Sequence, residues 1–98
     1  MFVILWAYDV RPGAEAEFEK AYGPSGKWVA LFQQAEGYLG TELLCAADVS
    51  LRYLTIDRWE SEAAYNRFRT TYARAYEMVD RAGEGLTDAE TPLGQFRR

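Results

Sequence analysis

The stretch FVILWAYDV, residues 2–10, decides the fold. A β-strand points successive side chains to opposite faces, so this segment presents two different apolar surfaces. The first face carries the larger side chains, which are Phe2, Ile4, Trp6 and Tyr8. The second face carries Val3, Leu5, Ala7 and Asp9. Both faces hold apolar bulk, and a sheet built around this strand therefore needs cover on both sides.

A helix with an interruption follows this strand. Residues 11–13 (RPG) predict a turn, and the Ala/Glu-rich segment that begins at Ala14 predicts a helix. Residues 23–26 (GPSG) break it, because proline and glycine both disfavour a helix interior. The helical spacing of apolar residues then resumes over residues 27–34. Gly37 ends this second piece.

Two strands and a second helix come next. Residues 38–45 and 51–59 alternate like strands and are joined by a short turn, which predicts a hairpin. Ser61 is a suitable N-cap for a helix that ends at Gly83. This helix carries an apolar stripe at intervals of three and four residues, formed by Tyr65, Phe68, Tyr72, Tyr76 and Val79.

The last part of the chain completes the fold. Residues 84–91 are polar and predict a loop, and residues 92–97 predict a final short strand. The order strand, helix, strand, strand, helix, strand is that of a ferredoxin-like α+β fold, a four-stranded antiparallel sheet with both helices on one face. We expect a single domain over residues 1–98, paired with a second copy that covers the remaining face of the sheet.

Composition excludes several classes of function. The formal net charge of −4 leaves no basic surface for nucleic acid. The apolar stretch at residues 2–7 is too short to span a bilayer and lacks the features of a signal peptide, so we expect a soluble cytoplasmic protein with no membrane partner.

The chain contains one cysteine and no histidine. Without histidine there is no Ser–His or Cys–His nucleophile pair and no histidine-ligated metal or haem, so the sequence predicts neither a metal nor a cofactor. Any acid–base chemistry falls to Asp, Glu, Tyr, Lys or Arg. Cys45 is expected to be an ordinary buried thiol in a strand.

Four segments in this order resemble the antibiotic biosynthesis monooxygenase family of dimeric α/β barrel proteins. They are RPGAEAEFEKAYGPSGKWVALF, GYLGTELL, RYLTIDRWES and TPLGQF. The resemblance implies a homodimer whose two sheets form a barrel, with a ligand cavity between the sheet and the helices of each subunit. Members of that family studied as enzymes include cofactor-free oxygenases that act on phenolic polyketides and a branch that degrades haem, and many other members have no assigned substrate.

The haem-degrading branch of that family uses an Asn on the first strand and a Trp and a His on the second helix. These positions fall on Trp6, Phe68 and Met78, so none of the three residues matches. The chain therefore offers no axial ligand, and haem chemistry is not expected.

The candidate substrate-binding residues come mainly from elements that face each other in this fold. They are Trp6, Tyr8, Trp28, Arg52, Tyr65 and Phe68. The aromatic members either form plain core or wall a site for a small hydrophobic or aromatic ligand. Arg52 is a candidate clamp for an acidic ligand, whereas Arg67, Arg69 and Arg74 fit a solvated helix face.

The candidate catalytic residues are Asp57 and Tyr72. Burial would raise the pKa of Asp57 and make it a general base, and the competing interpretation is an ion pair with an arginine across the sheet or the dimer interface. The helix break at residues 23–26 has two interpretations as well. It is either a bend that follows the twisted sheet, or the lip of a cavity walled by Trp6, Trp28, Tyr65, Phe68 and Tyr72.

Three classes of function remain open. They are a cofactor-free monooxygenase or related small-molecule enzyme acting on an aromatic or polyketide-like compound, a small-molecule-binding protein without turnover, and a structural or regulatory barrel dimer. A buried acid beside an empty pocket would favour the enzyme, a pocket without such an acid the binding protein, and a filled interior the structural dimer.

Overall fold

The computed structural model describes all residues from Met1 to Arg98. Its four strands form one antiparallel sheet in the order β2-β3-β1-β4, with β1 Phe2–Val10, β2 Tyr38–Cys45, β3 Arg52–Trp59 and β4 Thr87–Arg97. The helices are α1 Glu15–Tyr22, α2 Lys27–Phe32, α3 Glu62–Thr71 and α4 Ala73–Gly83, and a short 3₁₀ turn, Glu84–Leu86, leads into β4. The predicted ferredoxin-like α+β architecture is confirmed.

The predicted interruption separates α1 from α2 and is fixed by close backbone packing. The amide of Gly23 donates to the Glu19 carbonyl oxygen at 2.9 Å, and the amide of Gly26 donates to the Gly23 carbonyl oxygen at 3.0 Å. A side chain at Gly26 would overlap the carbonyl oxygen of Ala21. Glycine is therefore required at Gly26, whether or not the break also serves a ligand.

The helix predicted to run from Ser61 to Gly83 is interrupted at one residue. Tyr72 leaves the helical conformation and separates α3 from α4. Its amide still donates to the Phe68 carbonyl oxygen at 2.9 Å, and its carbonyl oxygen accepts from the Tyr76 amide at 2.8 Å, so helical hydrogen bonds continue on both sides of the break. The break follows the adjacent Thr70 and Thr71, and β-branched side chains are weaker helix formers.

The final strand is longer than its hydrophobic pattern predicts. Residues 87–91 were expected in a loop, but they pair with β1 from Val10 back to Ala7. Backbone hydrogen bonds to a neighbouring strand do not depend on apolar side chains, so a polar edge strand escapes detection by alternation. Leu51, by contrast, was expected to begin the third strand, but it lies in the turn before β3 with a φ of 66°.

The core between sheet and helices consists of two aromatic-rich clusters. One contains Phe2, Ile4, Leu31, Phe32, Trp59 and Phe68, and the other contains Tyr8, Val10, Phe18, Tyr22 and Tyr53. Trp6 and Trp28 pack against both clusters. These two tryptophans mark the boundary at which the interior opens into a cavity.

The opposite face of the sheet has no helical cover. Besides the ion pairs Arg52–Asp9 and Arg58–Glu42, it carries apolar side chains that are partly or largely exposed, which are Val3, Leu5, Ala7, Leu44, Leu54, Ile56 and Phe96. Two of them, Leu44 and Phe96, are 44% and 49% exposed. We call this set the open sheet face.

Cys45 is exposed rather than buried, so the expectation for this residue was wrong. It is the last residue of β2, an edge strand of the sheet, where one side of the strand has no neighbour. None of the helices combines the length and apolar character needed to cross a bilayer.

Candidate active site

A cavity of about 340 Å³ lies between the sheet and the helices. Its walls combine aromatic rings with ionisable and hydroxyl groups, which belong to Trp6, Tyr8, Tyr22, Trp28, Phe32, Thr41, Thr55, Asp57, Arg69, Tyr76, Asp80 and Glu90. Apolar walls with a few polar groups are typical of small-molecule sites, and the volume falls in the usual range for them.

Asp57 lies on the sheet side of this cavity. It belongs to the β3 face that also carries Tyr53, Thr55 and Trp59, since these side chains alternate with those that point to the open sheet face. Burial raises the pKa of Asp57 to about 6, although a hydrogen bond from Thr41 acts in the opposite direction. A carboxyl group with this pKa can accept a proton and release it again near neutral pH.

The alternative role of Asp57, an ion pair with an arginine, is absent within this chain. Its neighbour Arg58 points to the other face and pairs with Glu42. The Asp57 carboxylate instead accepts a hydrogen bond from Thr41 Oγ1 at 2.6 Å. Its charge therefore has no cationic partner in the subunit.

Thr41 connects Asp57 to a third polar group. The Thr41 hydroxyl lies 2.6 Å from the Tyr38 hydroxyl. A threonine hydroxyl has only one hydrogen, and here it is donated to Asp57, so the Tyr38 hydroxyl is the donor to Thr41. The Tyr38–Thr41–Asp57 chain fixes the orientation of the carboxylate.

The helices supply a cation at the rim of the cavity. The guanidinium carbon of Arg69 lies 3.9 Å from the centre of the Tyr76 ring, and its Nη1 donates to the Tyr65 hydroxyl at 3.0 Å. The stacked position and the hydrogen bond restrict the long arginine side chain, which lines the cavity.

Two further carboxylates, Asp80 and Glu90, also line the cavity. Burial, followed by the charge of Asp80, raises the pKa of Glu90. No group of three or more His, Cys, Asp and Glu side chains forms a candidate metal site.

The aromatic walls include three of the predicted residues, Trp6, Tyr8 and Trp28. The Trp28 ring meets Tyr76 edge to face at 4.9 Å between centroids and lies 6.3 Å from Tyr22. Burial raises the pKa of Tyr8, and it raises the pKa of Tyr22 to about 12. Both phenols are therefore neutral at physiological pH and can donate hydrogen bonds.

The other predicted binding residues lie outside the cavity. Phe68 is only 2% exposed and packs between Phe32 and Trp59 in the core. Tyr65 packs on Trp59 and contacts the cavity only through its hydrogen bond with Arg69. Their positions on the apolar stripe are correct, but the rotation of α3 turns these rings toward the core.

Arg52 and Tyr72 also lie elsewhere. Arg52 pairs with Asp9 at 3.0 Å on the exposed surface, because its place on β3 puts it on the face without helices. The Tyr72 hydroxyl donates to the Gln34 carbonyl oxygen at 3.1 Å, and its ring stacks on Phe68. Neither side chain lines the cavity that contains Asp57.

Several lining residues were missed by the sequence analysis. Thr55 lies two positions before Asp57 on β3 and therefore shares its face. Strand alternation alone could have predicted that it lines the site. Arg69 was assigned to a solvated helix face, whereas its guanidinium reaches the cavity rim. Thr41 and Glu90 are contributed by strand pairing across the sheet, for which the local pattern holds no signal.

The helix break borders a different, neighbouring cavity of about 290 Å³. Ser25, Gly26 and Lys27 line this second cavity together with residues of α4, and they do not line the first. The prediction that the break edges the aromatic cavity is therefore wrong. Tyr22 and Trp28 line both cavities and form the partition between them.

Comparison with known proteins places this architecture in a family. The family model for antibiotic biosynthesis monooxygenase matches residues 1–76. A comparison with curated protein sequences gives no match.

Solved structures show the same fold. A variant of SnoaB, a cofactor-independent oxygenase from Streptomyces nogalater, superposes with a TM-score of 0.81 at 21% identity, over 99% of this chain and 91% of that one. A MhuD variant with two manganese protoporphyrin IX molecules bound per active site superposes with a TM-score of 0.72 at 25% identity, over 100% and 94% of the two chains. Since the family model covers most of the sequence, the chain belongs to the antibiotic biosynthesis monooxygenase family.

Proposed function

We propose that this protein is a cofactor-independent monooxygenase that oxidises a phenolic aromatic or polyketide-like compound in the 340 Å³ cavity, with Asp57 as the general base. The observation that carries the proposal is a partly buried carboxyl group, with a pKa raised to about 6, on the wall of an open, aromatic-lined cavity. The structural similarity to SnoaB supports the reaction type.

The same observation favours an enzyme over the two other classes of function. A purely structural dimer needs no interior space, but here Trp6 and Trp28 border an open volume. A binding protein without turnover needs no carboxyl group that ionises near neutral pH. The open cavity thus favours a ligand-binding role over a structural one, and Asp57 favours an enzyme over a binding protein.

The proposed reaction begins with proton transfer to Asp57. The carboxylate removes a proton from an acidic C–H activated by the phenol system, and the resulting carbanion is delocalised over the aromatic rings. The carbanion gives one electron to O₂, and the radical pair combines to form a C–O bond as a peroxide anion. Asp57 returns its proton to this peroxide.

The peroxide then breaks down to products. Loss of the second C–H proton and cleavage of the O–O bond release water and leave a carbonyl group. Overall a CH₂ group and O₂ become C=O and H₂O, so one oxygen atom enters the substrate and the other leaves as water. No electron donor besides the substrate is needed.

Two sets of groups assist this chemistry. Arg69 at the rim is the cation that holds the substrate anion while it reacts with oxygen. Trp6 and Trp28 supply the flat apolar walls for the ring system. The proposed functional unit is a homodimer in which two copies bury their open sheet faces against each other.

Oxygen consumption tests the proposal directly. The purified protein, mixed with a dihydroxyanthrone in aerated buffer, is expected to consume one O₂ per quinone formed, as followed with an oxygen electrode and by absorbance. Dialysis against a chelator is expected to leave the rate unchanged, because the proposed mechanism uses only Asp57, Arg69 and the substrate. A rate no higher than that of the buffer, or a rate lost on chelation and restored by a divalent ion, would contradict the proposal.

The Trp28→Ala variant is expected to bind aromatic ligands at least about tenfold more weakly than the wild type. Loss of the indole ring joins the two cavities and removes one apolar wall. Titration of anaerobic protein with 1-naphthol gives the affinity. Val29→Ala is the matched control, since Val29 is buried on the same helix but lines neither cavity. Equal losses of affinity in the two variants would attribute the effect to folding alone.

A further inference from the structure

We infer that the second cavity, of about 290 Å³, is a separate binding site for a small carboxylate with an apolar body, whose charge is held by Lys20 and Lys27. The volume lies at the lower end of the range for small-ligand sites. This cavity is distinct from the one that contains Asp57, so the inference does not depend on the proposed reaction.

Small residues on three elements leave room for this cavity. They are Ala21 on α1, Gly26 in the helix break, and Ala82 and Gly83 on α4. A Cβ at Gly26 would overlap the Ala21 carbonyl oxygen, and a Cβ at Gly83 would lie 2.7 Å from the Tyr22 hydroxyl oxygen. Two parts of the wall are therefore fixed by close packing that only glycine allows.

Apolar side chains supply much of the remaining wall. Val79 on α4, Leu86 in the 3₁₀ turn and the partition residue Trp28 all line the cavity. Burial of hydrocarbon against such walls is favourable by about 25 cal/mol per Å². The body of the ligand is therefore expected to be an alkyl chain or a small ring.

The charges on the wall indicate the other end of the ligand. Lys20 and Lys27 are the only lysines of the chain, and both line this cavity. Every ion pair in the structure uses an arginine, so neither lysine pairs with a carboxylate of the protein. Glu17 is the one acidic residue on the wall, which leaves the lining with a net positive charge in a chain whose net charge is −4.

Helix stability does not explain the position of Lys27. This lysine is the first residue of α2, where the helix dipole disfavours a cation, and the first turn of α2 has no acidic residue to offset it. A residue that breaks a local rule is expected where it serves a ligand. Two ammonium groups attract an anion, and Glu17 beside them disfavours a dianion such as a phosphate monoester. A singly charged carboxylate fits this balance.

Calorimetric titration with octanoate and 1-octanol tests this inference without turnover. The two probes have the same chain length and differ in charge. In the wild type we expect octanoate to bind about tenfold more tightly than 1-octanol. Lys20→Met and Lys27→Met are each expected to weaken octanoate binding about threefold, as is usual for an exposed ion pair, and to change 1-octanol binding less than about twofold.

Arg69→Met is the matched control, because it removes one positive charge from the first cavity and none from the second. We expect it to change octanoate affinity less than about twofold. A loss of affinity in Arg69→Met that the lysine variants do not share would place octanoate in the first cavity and overturn the inference. So would equal affinities of the two probes in the wild type, or no binding of octanoate at millimolar concentration.

Ala82→Phe tests the apolar part of the site by placing a ring in the second cavity. It is expected to weaken both probes at least about tenfold, whereas Met78→Phe on the same helix lines neither cavity and is expected to leave them unchanged. Ala82→Leu replaces Ala82→Phe if the latter does not fold. Unchanged affinity for both probes in the Ala82 variant would contradict the inference. Absence of oxygen consumption would contradict the proposed reaction only and leave these affinities intact.

Discussion

Replacing Asp57 by Asn is expected to lower kcat/KM for the dihydroxyanthrone by about 10²- to 10⁴-fold, the usual contribution of a general base. The amide of Asn has nearly the shape of the carboxyl group and can still accept the Thr41 hydrogen bond, but it cannot take up the substrate proton. The wild-type rate is expected to rise with pH through about 6, since the base must be ionised. Steady-state rates between pH 5 and pH 8 provide the measurement.

The same substitution is expected to make the protein more stable at neutral and alkaline pH. Burial raises the pKa of Asp57 to about 6 in the folded state, above the value of about 3.9 for an unfolded chain. Protonated Asp57 therefore contributes stability that is fully present below about pH 4 and is lost as pH rises through about 6. Asn has no charge to bury, so the stability gained by Asp57→Asn is expected to grow from pH 4 to pH 8, up to about 3 kcal/mol.

Urea unfolding of both proteins at pH 4 and pH 8 measures this difference. Asp48→Asn in the exposed turn between β2 and β3 is the control, and we expect it to follow the wild type at both pH values. A loss of stability at pH 8 in Asp57→Asn would show that the carboxylate is stabilised by a partner. A rate that Asp57→Asn leaves unchanged would exclude Asp57 as the base.

Replacing Ile56 by Lys is expected to convert a dimer into a monomer at micromolar concentration. Ile56 lies in the open sheet face, opposite Leu5 on β1 and Glu42 on β2. In a monomer the lysine can extend into solvent, whereas in a face-to-face dimer its charge would be removed from solvent between the two sheets. We expect the dimer dissociation constant to increase at least about 100-fold, or about 2.7 kcal/mol.

Sedimentation equilibrium distinguishes the two states. The wild type is expected to show about twice the mass of the 11.2 kDa chain, because an apolar sheet face of this extent is unusual on a monomer. Met78→Lys is the matched control, since Met78 is 68% exposed on α4 and lies away from the open sheet face. A wild-type mass near one chain, or an Ile56→Lys dimer as tight as the wild type, would refute the proposed dimer.

The sequence by itself determined the order and type of the main elements. Alternation along residues 2–10 and 51–59 indicated two strands, the first with both faces apolar, and the GPSG segment correctly predicted a helix break. These signals are local, because a side chain's place on a strand or helix face depends only on its spacing from its neighbours in the chain. The same alternation put Asp57 on one face with Tyr53 and Trp59, and the structure places that face toward the helices.

Only the tertiary structure decided which residues share the cavity. The partner of Asp57 is Thr41, which the register between β2 and β3 brings opposite it. Of the tyrosines on the predicted apolar stripe, Tyr76 on α4 lines the cavity and Tyr72 does not. Strand register and helix rotation are set by packing across the whole core, so no local pattern contains them. The residues 87–91 joined the sheet for the same reason, because their pairing with β1 depends on a distant strand and not on their own hydrophobicity.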